Sequence, residues 1–103
     1  MSPASPSDAL SEAVVAYLGY EREPSPRTDA AAADAVAVRL GNPPGASDVE
    51  QLVVESLAVP VDWSSTSLGD AGRLVIAEMK RRHPGLSDLA AEALGWNFTF
   101  QWR

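Results

Sequence analysis

At 103 residues the chain has room for one hydrophobic core, and hydrophobic residues make up 46% of it. The absence of cysteine excludes a disulfide framework and a thiolate metal site, and a net charge of −6 opposes nucleic-acid phosphates while favouring basic partners. Alanine supplies much of the apolar fraction, as in Ala30, Ala31, Ala32 and Ala33, so large core side chains are few and closely approaching helices are expected.

The Ser- and Pro-rich start is expected to be a flexible lead-in over residues 1–6, ahead of a single helical domain over residues 7–103. It has neither the cationic start nor the apolar segment of a secretory signal. Asp34 interrupts the longest apolar stretch before it reaches the length of a membrane span. These features point to a soluble cytoplasmic protein without a membrane association, and one lysine against seven arginines in an alanine-rich chain points to a bacterial source.

Ser5, Pro6 and Asp8 form a capping arrangement that opens a first helix near Pro6 or Ser7. Its apolar face is Leu10, Ala13, Val14, Tyr17 and Leu18, and Gly19 is its natural terminator. A loop from Glu21 to Arg27 follows, carrying Pro24 and Pro26. Thr28 is expected to cap a second helix to about Leu40, with Ala33, Val36, Ala37 and Leu40 on one face. The run Gly41 to Gly45 breaks the chain. Ser47 with Glu50 three residues on reads as a capping box opening a third helix, its stripe formed by Val49, Leu52, Val53, Ser56 and Leu57 and its end set by Pro60.

Val59, Val61 and Trp63 alternate as a short extended piece, which Pro60 restricts to an edge. Ser67 and Asp70 frame a fourth helix to about Arg82, with Leu68, Ala71, Gly72, Val75 and Met79 inward. Ser87 caps a fifth with Leu86, Leu89, Ala90, Ala93 and Leu94 inward, and Gly95 is expected to stop it.

Four of the seven aromatic residues then fall in the last eight positions, alternating with polar ones: Trp96, Phe98, Phe100 and Trp102 against Asn97, Thr99, Gln101 and Arg103. Leu94, Phe98 and Trp102 are also four apart, as in a continuing helix. Thr, Phe and Trp favour strands and Gly95 disfavours continuation, so the tail is expected to be extended. The resulting fold class is mainly α: a single-domain bundle of four to five short helices with a C-terminal aromatic extended segment packed across it.

No residues present themselves as catalytic, cofactor-binding or metal-binding. His83, the only histidine, ends the cationic turn Lys80-Arg81-Arg82, where positive charge offsets the helix dipole. Asp62 beside Trp63 reads as a turn-forming residue, and Ser64 to Ser67 as a loop leading into a cap. Residues 1–70 hold eleven carboxylates against three arginines, and from Gly41 to Asp70 five acids meet no base.

The stretch Leu86-Ser87-Asp88-Leu89-Ala90-Ala91-Glu92-Ala93-Leu94-Gly95-Trp96 resembles the first helix and turn of a helix-turn-helix DNA-binding unit, where an Ala-Glu-Ala-Leu-Gly-type segment packs under the recognition helix. The resemblance implies a DNA-binding or transcription-associated role. The eight residues after Gly95 depart from it, being aromatic where the family has a polar reading helix, and the acidic charge lacks a phosphate footprint.

A non-catalytic domain that binds a basic protein partner is therefore the leading expectation, with a toxin-neutralising, immunity- or antitoxin-like protein as its most concrete form. Its candidate contact residues are Asp48, Glu50, Glu55, Asp62, Trp63, Trp96 and Trp102. Pairing of tail strands would also permit a homodimer.

Overall fold

The computed structural model describes residues 6–40 and 46–102, which form five α-helices and no strand. The helices are α1 (Pro6–Leu18), α2 (Ala30–Leu40), α3 (Ala46–Leu57), α4 (Leu68–Arg82) and α5 (Asp88–Gln101). Apart from Pro6, the expected lead-in lies outside the described residues, as does the Gly41–Gly45 break. No described helix is long and apolar enough to cross a membrane.

α5 is the axis of the bundle and packs against α1, α3 and α4. Its buried residues, Ala90, Ala91, Ala93, Leu94, Gly95, Asn97 and Phe98, cover most of its circumference, as a helix enclosed by neighbours requires. Around it lie Ala13, Val14 and Leu18 of α1, Val49 and Leu52 of α3, and Ala71, Val75 and Met79 of α4. The bundle of short helices and most of its stripes are as the periodicity predicts. Leu89 is an exception: the sequence places it inward, and it is exposed.

The aromatic tail is helical, which corrects the expected extended segment. Gly95 sits mid-helix in α5 and does not end it. A Cβ added at Gly95 would lie 2.5 Å from Ile76 Cγ1 and 3.1 Å from the Gly72 carbonyl oxygen, and one at Gly72 would lie 2.7 Å from Thr99 Cγ2. Both glycines are thus needed for α4 and α5 to approach closely. That packing outweighs the helix-propensity cost of glycine, about 1 kcal/mol.

Local signals fix most helix ends. Ser67 and Ser87 cap α4 and α5 as expected, accepting from the amides of Asp70 and Ala90 at 3.2 and 3.1 Å. Gly19 ends α1 with φ 71°, and the loop beyond returns to cover α1's last carbonyls: Arg27 N donates to Leu18 O and Asp29 N to Tyr17 O, both at 2.9 Å.

Two helix boundaries and one short segment differ from expectation. Asp29, not Thr28, stands before α2, and its Oδ1 accepts from Ala32 N at 3.0 Å. A carboxylate at this place also meets the positive end of the helix. α3 starts at Ala46, so Ser47 lies within its first turn rather than ahead of it. Residues 59–63 form no strand; with no neighbouring edge to pair with, Val59 instead inserts into the core and Val61 packs on its margin.

The glycine contact makes a paired prediction for urea denaturation. Gly95→Ala should destabilise by about 1–3 kcal/mol through overpacking. Gly69→Ala, where nothing lies within 4 Å, should stabilise by roughly 0.5–1 kcal/mol. Equal and stabilising effects at both positions would contradict the close approach.

Candidate functional site

The helical course of α5 separates the four terminal rings. Phe98 turns into the core and is 1% exposed, whereas Trp102, one turn further, reaches the surface at 53%. Trp63, arriving from the loop between α3 and α4, lies nearly parallel to Phe98 (centroids 6.0 Å apart, planes at 5°) and 5.5 Å from Trp102 at 40°. Trp63 itself is 42% exposed. Two half-exposed indoles therefore touch each other on a floor made by a buried phenylalanine, an arrangement that favours offset ring contact.

The loop is built to hold Trp63 there. The Asp62 carboxylate accepts from Ser64 N at 3.1 Å, Ser64 Oγ at 2.6 Å and Ser65 Oγ at 3.1 Å. These bonds, that from the Ser64 hydroxyl foremost, hold the Asp62 carboxyl below its ordinary range. The turn-forming role expected of Asp62 is the one observed. On the preceding side Val59 and Val61 anchor the chain to the core.

Trp96 is elsewhere. It is half-buried at the core margin, tilted at 51° against Tyr20 with centroids 5.2 Å apart, and so is not brought into the Trp63–Trp102 pair.

The expected acidic residues are likewise divided. Asp48 and Glu50 are exposed on α3, and the Tyr17 hydroxyl donates to Glu50 Oε1 at 3.5 Å. Burial, then the Glu50 charge, raises the Tyr17 phenol above its usual value. Glu55 is engaged inside the molecule. Its two carboxylate oxygens lie 3.0 and 3.2 Å from His83 Nε2, and Arg82 Nη1 donates to it at 3.2 Å. An ionised carboxylate can only accept, so Nε2 carries the hydrogen.

Arg82 also donates to Glu78 at 2.8 Å, and Arg81 pairs with Glu78 as well. α3 and α4 have little direct packing, so this cluster is the main link between them. It gives His83 a partner 28 residues away, which spacing along the chain does not reveal. Among the described residues no group of three or more His, Cys, Asp or Glu side chains is placed to hold a metal ion.

The turn implied by the helix-turn-helix resemblance is replaced by continuous helix, since α5 runs from Asp88 through Gly95 to Gln101. Comparison with protein-family models, curated proteins and solved structures finds no match.

The clamp makes a pH prediction. Burial raises the Glu55 carboxyl, but hydrogen bonds from His83 and Arg82 outweigh it and leave the group lowered. Hydrogen bonds from Arg81 and Arg82 bring Glu78 down to about 2. Stabilisation by groups lowered on folding is complete above the ordinary value of 4.5 and is lost as pH falls through the folded values. Both carboxylates are partly exposed, so solvent screens the Glu55 and Glu78 pairs alike and limits the share of each. Glu55→Gln should therefore lower Tm at neutral pH and flatten its decline as pH falls below the ordinary carboxyl value of 4.5. A decline as steep as that of the unmodified protein would contradict the clamp.

Proposed function

We propose that this chain is a small non-catalytic protein-binding domain, with the Trp63–Trp102 pair as the centre of its contact face and a basic protein as its partner. The observation that carries this reading is the pair itself: two touching, half-exposed tryptophans, one fixed by the Asp62 turn and both supported by buried Phe98. Tryptophan is enriched where interfaces concentrate their binding energy, and rings already held in place lose little freedom on binding.

The preference for a basic partner comes from the net charge of −6 and from the Asp62 carboxyl, whose lowered value keeps it ionised beside the rings. Arginine or lysine side chains can then gain from both ring faces and long-range attraction. An immunity- or antitoxin-like role in the cytoplasm, masking a basic toxin, is the concrete form of the proposal.

The test uses the partner captured from the native host and titrated against purified variants. Trp63→Ala with Trp102→Ala should weaken binding by about 2 kcal/mol or more while helical content is kept. Asp48→Asn with Glu50→Gln should chiefly slow association and reduce its salt dependence. Unchanged affinity after loss of both tryptophans would overturn the proposal.

A further inference from the structure

A groove of about 1010 Å³ opens where α1, α2 and the start of α5 meet, on residues separate from the tryptophan pair. Its apolar lining includes Val15 and Ala16 of α1, Ala32 and Val36 of α2, and Leu89 of α5, the residue that the helical stripe places inward and the fold leaves exposed. The walls are mixed, since Ser11, Glu12, Arg22, Arg39 and Ser87 line the groove beside these apolar side chains, and its volume is ample for a small organic ligand.

The charges at the groove oppose the character of the rest of the chain. Glu12 and Arg39 neutralise each other through a 2.7 Å ion pair. That leaves Arg22, which also lines the groove. Among the described residues Arg22 is the one basic side chain without a carboxylate partner; Arg27, Arg39, Arg73, Lys80, Arg81, Arg82 and His83 all have one. In a chain with 14 carboxylates against 8 lysines and arginines, an unpaired guanidinium beside an apolar groove is unexpected on charge grounds alone.

The segment that carries Arg22 is fixed by its backbone. The amides of Arg22 and Glu23 both donate to Gly19 O at 3.0 Å, and Glu21, just before them, takes φ 68°, a left-handed conformation uncommon outside glycine.

We propose that this groove binds a small aliphatic monocarboxylate, its chain against Val15, Val36 and Leu89 and its carboxylate on the Arg22 guanidinium. A cluster of apolar side chains in an open groove and one guanidinium without a carboxylate partner match a ligand with one anionic head and a short apolar body. The site does not depend on the protein-binding role, and its test needs no partner.

Isotope-labelled full-length protein is titrated with octanoate and, separately, with octan-1-ol, following backbone amide shifts. Octanoate should give saturable shifts centred on Val15, Ala16, Ala32, Val36 and Leu89, and should bind more tightly than the alcohol. Arg22→Ala should weaken octanoate about tenfold or more and leave the alcohol unchanged, with Arg22→Lys intermediate. Arg22 is exposed, so an unaltered Tm in these variants shows that the fold is kept. Shifts scattered over the surface, no saturation in the millimolar range, or equal binding of octanoate and octan-1-ol would each overturn the proposal.

Discussion

Close contact between α4 and α5 at Gly72 and Gly95 governs the arrangement of everything else. With no Cβ at either position the backbones meet directly, and Ile76 and Thr99 fill the space beside them. α5 can then pass unbroken through the middle of the bundle and deliver Phe98 to the core. Trp102 follows one turn later at the surface, where Trp63 meets it. An α5 that stopped at Gly95 would leave the core without its largest fully buried side chain and the indole pair without its floor.

The chemistry of helix ends was largely readable in the chain. Ser67 and Ser87 each supply a hydroxyl to the amide three residues on, and Gly19 takes the positive φ that closes a helix, because these devices depend only on near neighbours. Thr28 and Asp29 were harder to separate, since both can cap and they are adjacent.

Two periods coexist in the tail, and they point to different structures. Trp96, Phe98, Phe100 and Trp102 satisfy a spacing of two, while Leu94, Phe98 and Trp102 satisfy a spacing of four. The local preference of glycine favours the extended course. Its true role is set by Gly72, 23 positions earlier in the chain, which no local pattern contains. The pairing of Glu55 with His83, and that of Trp63 with Trp102, escaped for the same reason: each joins segments brought together only by the finished fold.

The electrostatic picture also changes once the helices are assembled. The acid-rich stretch from Gly41 to Asp70 reads as one field, yet Glu55 is drawn into the clamp with Arg82 and His83 and Asp62 into its own turn. Glu12 is tied to Arg39 across α1 and α2, and Lys80 to Asp88 across the α4–α5 turn. Some of these charges therefore link neighbouring elements, each pair contributing little alone at the surface. Arg22 at the groove and the indoles of Trp63 and Trp102 stand apart from this network, and for that reason the two binding proposals rest on them.

The most direct measurement is residue-by-residue amide hydrogen exchange, with backbone carbon shifts, across Ala93 to Gln101. An unbroken central helix predicts helical shifts through Gly95 and strong protection of the Leu94 to Phe98 amides, close to that of Val75 and Met79 in α4. Rapid exchange beginning at Gly95, with extended shifts from Trp96 onward, would contradict the fold and remove the support on which the tryptophan pair rests.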